Sequence, residues 1–354
     1  MNPIMKGFVM AKIQPAVETM RFIWTPDDSG TTDVKFIDLS QCASLMNRRF
    51  YRQGLNWAVA GFRFYTNQLA TDNASALKTI MIAKLPNTWV MHNAYKKAFK
   101  HWQQMNKEAL EGMEGAKPKY LDFKIHANAE HYDAGYDRNL LPYAYRPVNL
   151  SSQQARPGEW TPSTFRIPIA SSAQGGANDI IEYGITAVGP NYPQSSGVKS
   201  VSLIEGYASS RALIQNTDPN FPADAEDINS QTPENWLKAM INNDNAQLEE
   251  IIDDLMDEQD APPYPIEGAT DYLNGGTYSD TMYPGGANNM ADLQLHDIER
   301  FTSTTIGGKI TMKGGNFGCG LIAIKTENID TSITMVVDLV PGHQRGYLTE
   351  SMLK

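Results

Sequence analysis

Cysteine is scarce: Cys42 and Cys319 are the only two in 354 residues. Two thiols build no disulfide framework and no cysteine-rich metal site, and they fit a reducing compartment. Long apolar runs are missing as well. No stretch approaches 18 consecutive apolar residues, so no membrane-spanning helix is expected. The opening MNPIMKGFVMAKIQPAVETM carries no signal-peptide apolar core. Common enzyme signatures are absent: no phosphate-binding P-loop, no GxSxG elbow, no HExxH and no zinc-type cysteine pairs. The chain therefore reads as a non-enzyme, with no catalytic residue, no metal and no cofactor assigned.

Three stretches invite a chemical reading and receive a plainer one. GKITMKGGNFGCG (308–320) is rich in glycine, but a loop that cradles phosphate should lead from a strand into a helix. Here strand-like residues lie on both sides, so a hairpin turn is expected. His126 and His131 stand close together with Glu130 and Asp133, and a metal site could be drawn from them. No second ligand pair is visible, and a surface loop or strand end is the expectation. EEIIDDLMDEQD (249–260) lacks the spacing that wraps a calcium ion and reads as a solvated helix face.

What is present is a globular composition: 41% apolar, 20% charged and 10% aromatic residues, enough for a sizeable core. Net charge is −10 and uneven. Residues 1–150 hold 19 Lys+Arg and 13 Asp+Glu, a net of +6. Residues 216–271 hold 15 acids and one base, Lys238, a net of −14. A moderately basic body thus carries an acidic insert.

About ten segments have strand length and β-branched or aromatic character, at 16–24, 55–67, 77–85, 120–128, 164–170, 179–188, 293–302, 308–314, 319–328 and 332–340. Helical spacing appears over 88–112, where Met91, Tyr95, Phe99, Trp102 and Met105 form a stripe and Lys96, Lys97, Lys100 and Lys107 lie off it. A second helix is expected from Thr232, with Pro233 in its first turn, and a shorter one over 38–49, capped by Asp38 or Ser40. Strands, inserted helices and strands again point to a mainly β protein. The strand number suits an antiparallel jelly-roll β-sandwich with helices in long loops, a single domain over 1–354 with an acidic helical insert at about 216–271.

MNRRFYRQGLNWAVAGFRFYTN (46–67) packs four arginines among six aromatics. Alternation puts Phe62 and Phe64 on one strand face, expected in the core, and Arg63 and Tyr65 on the other. Arg48, Arg49 and Arg52 follow a helix end, where cations are favoured anyway. They can cap and bridge subunits, or contact nucleic acid through phosphate and stacked bases. Arg48, Arg49, Arg52, Lys96, Lys97 and Lys100 are the candidate nucleic-acid-binding residues.

The phrases FIDLSQCASLMNRRFYRQGLNWAVAGFRFY, KLPNTWVMHNAYKKAFKHWQQMN, KPKYLDFKIHA, SDTMYPGGANNM and TTIGGKITMKGGNFGCGLIAI resemble the capsid proteins of small circular single-stranded DNA viruses that encode a replication initiator. The resemblance extends over most of the chain. It implies a jelly-roll subunit that assembles with itself into an icosahedral shell around circular ssDNA, found in the virion and assembled inside the host cell. Many such proteins begin with an arginine-rich arm, whereas here only Lys6 and Lys12 precede Arg21. The inner surface would then have to supply positive charge, with the acidic insert facing outward. The alternative is a ligand- or carbohydrate-binding β-sandwich with Trp57, Trp89, Trp160 or Tyr283 as a stacking platform.

Overall fold

The computed structural model describes residues 15–26, 32–66, 78–110, 122–144, 153–169, 179–194, 197–212, 270–271, 276–277, 292–302, 305, 308–329 and 331–353. The chain falls into two compact units, residues 1–205 with 290–354, and Gly206–Asn289. Of the second unit, the described residues are the end of one helix and a two-residue antiparallel pairing, Thr270–Asp271 with Gly276–Thr277. The helix expected from Thr232 and nearly all of the acidic stretch 216–271 lie outside the described residues.

The first unit is built mainly from antiparallel strands. In chain order its principal elements are β1 (Thr19–Trp24), β2 (Thr32–Asp38), α1 (Leu39–Asn47), β3 (Leu55–Thr66), β4 (Lys78–Lys84) and α2 (Trp89–Ala109). Next come α3 (Ala129–Ala134), β5 (Thr164–Ile169), β6 (Asp179–Thr186), β7 (Tyr192–Gln194), β8 (Gly197–Ser202) and α4 (Leu203–Ala212), which continues into the second unit. The set closes with β9 (Gln294–Phe301), β10 (Lys309–Phe317), β11 (Leu321–Glu327), β12 (Ile333–Leu339) and β13 (Thr349–Ser351).

One sheet has the order β1-β12-β3-β10, with β13 also paired to β3; another has the order β9-β4-β11-β2. Every pairing in both is antiparallel. The pairs are nested: β1 meets β12, β2 meets β11, β3 meets β10 and β4 meets β9. A separate sheet, β5-β6-β8-β7, contains one parallel pair, β6 with β8.

Alternation explains how the two main sheets share one core. β1 turns Met20, Phe22 and Trp24 inward, and β12 turns Ile333, Met335, Val337 and Leu339 inward. Phe62 and Phe64 of β3 are fully buried, as their spacing predicts. The same cluster takes Ile80 and Ile82 from β4 and Ile322 and Ile324 from β11. At one rim the sheets are stitched together by side chains. Asp297 of β9 accepts from the Lys313 amide of β10 at 3.0 Å, and the His296 ring meets the Lys313 carbonyl at 2.9 Å. Leu295 and Ile298 of the same strand stay 55% and 41% exposed.

Two expectations need correction. Residues 120–128 were expected as a strand, yet within the described part only His126 makes a bridge, to Thr186. Side chains occupy the backbone groups that a ladder would use: Gln53 Oε1 accepts the Ile125 amide, and Ser163 Oγ accepts the Lys124 amide. The glycines of KGGNFG do not form the turn either. Gly314 and Gly315 lie inside β10, and a Cβ on Gly314 would meet the Val59 carbonyl oxygen of β3 at 2.2 Å. The connection follows at Gly318–Gly320, with Cys319 in the left-handed region at φ 54°, and it is no hairpin, because β10 pairs with β3 in one sheet and β11 with β2 and β4 in the other.

Candidate functional site

The arginine-rich stretch is shaped by the two ends of α1. Asp38 caps its start, its carboxylate accepting from the amides of Ser40 at 2.8 Å and Gln41 at 3.3 Å. Arg48 ends it in the left-handed conformation, φ 53° and ψ 40°, with its amide donating to the Ser44 carbonyl. The chain then runs over the surface and back. Arg48, Arg49 and Arg52 are exposed, whereas Tyr51, Gln53 and Trp57 are buried. Tyr51 donates its hydroxyl to the Arg345 carbonyl at 2.9 Å and packs against Trp57 and Tyr347. Arg63 is held on the outer sheet face by an ion pair to Asp338 at 2.8 Å.

Beside this stretch lies a cleft of about 340 Å³, near the lower end for small-molecule sites, about 300–1,000 Å³. Phe50 and Arg52 stand on one side; Tyr95 and Phe99 of α2 stand on another. Asp122 and Phe123 add a third wall, and Gln344 and Arg345 a fourth. Tyr95 comes so near the main chain that a Cβ on Gly54 would meet its hydroxyl oxygen at 2.6 Å. Glycine at 54 therefore permits this wall.

Charge in the cleft is uneven. Asp122 pairs with Lys124 at 3.2 Å, both side chains nearly buried. Burial raises the Asp122 carboxyl above the usual carboxylate range, while Lys124 and Arg52 act against that rise. The Lys124 ammonium also sits 4.7 Å from the Trp160 ring centre and 5.9 Å from that of Phe50. Arg345, in the left-handed region at φ 51°, donates Nη1 to the Phe50 carbonyl at 2.6 Å.

Of the six candidate residues, Arg52 alone lines the cleft. Arg48 and Arg49 lie on the adjoining surface, Arg49 near enough to the Tyr51 hydroxyl to act on its ionisation. Lys96, Lys97 and Lys100 belong to α2; at about 100° per residue Lys97 and Lys100 fall on the side away from Tyr95 and Phe99, and the half-buried Lys96 flanks that face. The sequence reading missed Arg345, Lys124, Asp122 and Gln344. Arg345 reaches the site from a turn 293 residues beyond Arg52, and no local pattern marks that meeting.

Beside the cleft is a second polar cluster, and it is buried. Asp38 is fully buried and takes two further donors on Oδ2, Gln53 Nε2 and Trp160 Nε1, each at 3.0 Å. Desolvation raises its carboxyl to about 6, against the opposing pull of those four hydrogen bonds. Gln53 also donates to the Tyr136 hydroxyl at 2.8 Å, and Tyr136 donates to the Ile125 carbonyl. Nearby, His131 Nδ1 accepts the Ala127 amide at 3.0 Å, which places its proton on Nε2, facing Asn139 Oδ1 at 2.9 Å. Its ring stacks on Phe36 with centroids 4.4 Å apart. Burial lowers His131 to about 3 and His126 to about 4, so both rings are neutral near pH 7.

These histidines were expected on a surface loop or strand end and are buried instead, because their ring nitrogens satisfy peptide groups of the 125–139 region and β6. Glu130 and Asp133 point outward, and among the described residues no group of three or more His, Cys, Asp or Glu could hold a metal ion. No helix among them is long and apolar enough to cross a membrane. No family model matches the chain, and neither the curated proteins nor the solved structures contain a match.

Proposed function

We propose that this chain is a structural protein, a jelly-roll capsid subunit that assembles with itself into an icosahedral shell around circular single-stranded DNA. The nested strand pairing is the observation that carries the reading. Counted in order, β1 to β4 and β9 to β12 are eight strands, paired first with last, second with seventh, third with sixth and fourth with fifth. An antiparallel ribbon rolled up in that way has two Greek keys in two four-stranded sheets, the jelly-roll arrangement. The resemblance in the capsid-like phrases supplies the function that such a scaffold would serve. Exposed apolar side chains on β9, Leu295 and Ile298, offer surface for contacts between copies. The exposed arginines after α1 and the lysines of α2 supply cations for phosphate.

Negative-stain microscopy and size-exclusion chromatography of the purified chain test this reading. Closed particles tens of nanometres wide are expected; a stable monomer across pH and salt refutes it. Nuclease treatment with the 260/280 nm absorbance ratio then reports enclosed nucleic acid. Replacing Arg48, Arg49 and Arg52 together by alanine should lower the enclosed fraction and spare assembly. The alternative platform for carbohydrate is weakened at two of its residues. Trp57 is buried, and Trp160 has its indole N–H engaged by Asp38 and its ring covered by Lys124. Tyr283 lies outside the described residues.

A further inference from the structure

We propose that the cleft between Arg52 and Arg345 holds one nucleotide of a single strand, its phosphate on the two guanidiniums and its base against Phe50 and Phe99. The proposal deepens the capsid reading and rests on it for the source of the strand. Three features of the cleft point to this ligand.

The first is convergence of charge. Arg52 and Arg345 come from segments far apart in sequence, yet both line one cavity. Arg345 is positioned at both its ends, its carbonyl accepting from Tyr51 and its Nη1 donating to the Phe50 carbonyl. A guanidinium has five N–H donors, so four remain for an anion. Among the described residues, the Arg52 guanidinium carries no hydrogen bond or ion pair. Two planar donors around one opening match the geometry of a phosphate.

The second is the aromatic wall. Tyr51, Tyr95 and Phe123 are almost wholly buried and brace the cavity from behind. Phe50 and Phe99 are only partly buried and leave ring surface facing the space. Stacking on such rings tolerates any base, which suits a protein that holds strands without reading them.

The third is the acceptor at depth. The Asp122 side chain is 5% exposed and lines the cleft, with Lys124 Nζ 3.2 Å from its Oδ2 and the Gln53 backbone amide bonded to the carboxyl. A carboxylate here repels a phosphate placed deep and accepts from a base amino group. The ligand is thereby oriented with phosphate at the arginine side and base inside. A cavity of about 340 Å³ accommodates one such unit rather than a stacked run.

The test uses the full chain and a 5′-labelled pentadeoxycytidylate, followed by fluorescence anisotropy, with dCMP, deoxycytidine and inorganic phosphate as competitors. Saturable binding of the pentamer is expected, tighter than that of dCMP. Deoxycytidine and phosphate alone should compete at least tenfold less well than dCMP, since each fills half of the site. Arg52→Ala and Arg345→Ala should each weaken the pentamer about tenfold and reduce the salt slope by about one. Phe99→Ala should weaken binding about tenfold with the salt slope unchanged. Lys309→Ala, exposed on the strand β10, removes a charge of the same sign outside the cleft and should change little.

Pentamer affinity unchanged in Arg52→Ala overturns the proposal; so does phosphate competing as well as dCMP, which describes a plain anion site. A pentamer no tighter than dCMP overturns the strand as its source. Arg52 is exposed, so its variant should fold even if Arg345→Ala does not. Particle images of wild type and Arg52→Ala separate the two readings. Particles with unaltered pentamer binding defeat the cleft alone, and cleft binding without particles from wild type defeats the capsid reading alone.

Discussion

Arg52 and Gln53 are neighbours in the chain and belong to different worlds. Arg52 lines the open cleft, exposed and without a hydrogen bond or ion pair on its guanidinium among the described residues, its charge acting on Asp122; Gln53 is fully buried, and both ends of its amide are bonded to the cluster around Asp38. The buried cluster matches donors with acceptors almost atom for atom, since a buried group left unpaired costs about 1–3 kcal/mol. In the cleft, Arg52 is exposed and Arg345 spends one guanidinium donor on the Phe50 carbonyl. Matched polar atoms hold this part of the fold together, and the exposed arginines beside the cavity are where the proposed strand would bind.

Substitutions at the two adjacent positions should separate these roles. Gln53→Leu carries the largest expected effect. It strips partners from Asp38, Tyr136 and the Ile125 amide together, and should cost about 3 kcal/mol or more in urea unfolding. A loss below about 1 kcal/mol would show the buried cluster to be dispensable.

The next effect is on pH. His131 and His126 lie below their ordinary value in the fold, so the stability they contribute is full above pH 6.5 and is lost as pH falls through about 4 and about 3. Asp38 lies above its ordinary 3.8, so its contribution is present below that value and is lost as pH rises through about 6. The two oppose each other between pH 4 and 6. His131→Gln should flatten the acid side of a plot of unfolding midpoint against pH, and an unaltered acid limb would contradict the neutral buried ring. The smallest effect belongs to Arg52→Ala, which should shift unfolding free energy by no more than about 0.5 kcal/mol.

The sequence was most legible where one period ran long enough to dominate. The alternation in β1, β3 and β12 and the stripe of α2 were read almost to the residue, and Asp38 was one of the two caps expected for α1. β2 escaped because TDVKFID alternates weakly and carries three charges, and its place as a strand comes from pairing with β11. The cleft was half legible. Arg52 stood out by its company of aromatic residues, whereas Arg345 and Asp122 carry meaning only once distant segments have met.

The nested pairing also constrains how the molecule can come into being and change. Its innermost partners, Lys78–Lys84 and Gln294–Phe301, are already more than 200 residues apart, and its outermost, Thr19–Trp24 and Ile333–Leu339, enclose nearly the whole chain. A ribosome delivers β1 long before its mate exists, so the eight-strand core must close late, after translation has passed residue 339. The stretch between β4 and β9 leaves the eight-strand ladder and returns to it, and doubling the length of a flexible loop adds only about 0.6 kcal/mol of closure entropy. Added length in that stretch therefore carries a small closure cost, whereas replacing it would remove Ile125, Tyr136 and Trp160, the partners of Gln53 and Asp38, and a frameshift near the last strands would undo the first.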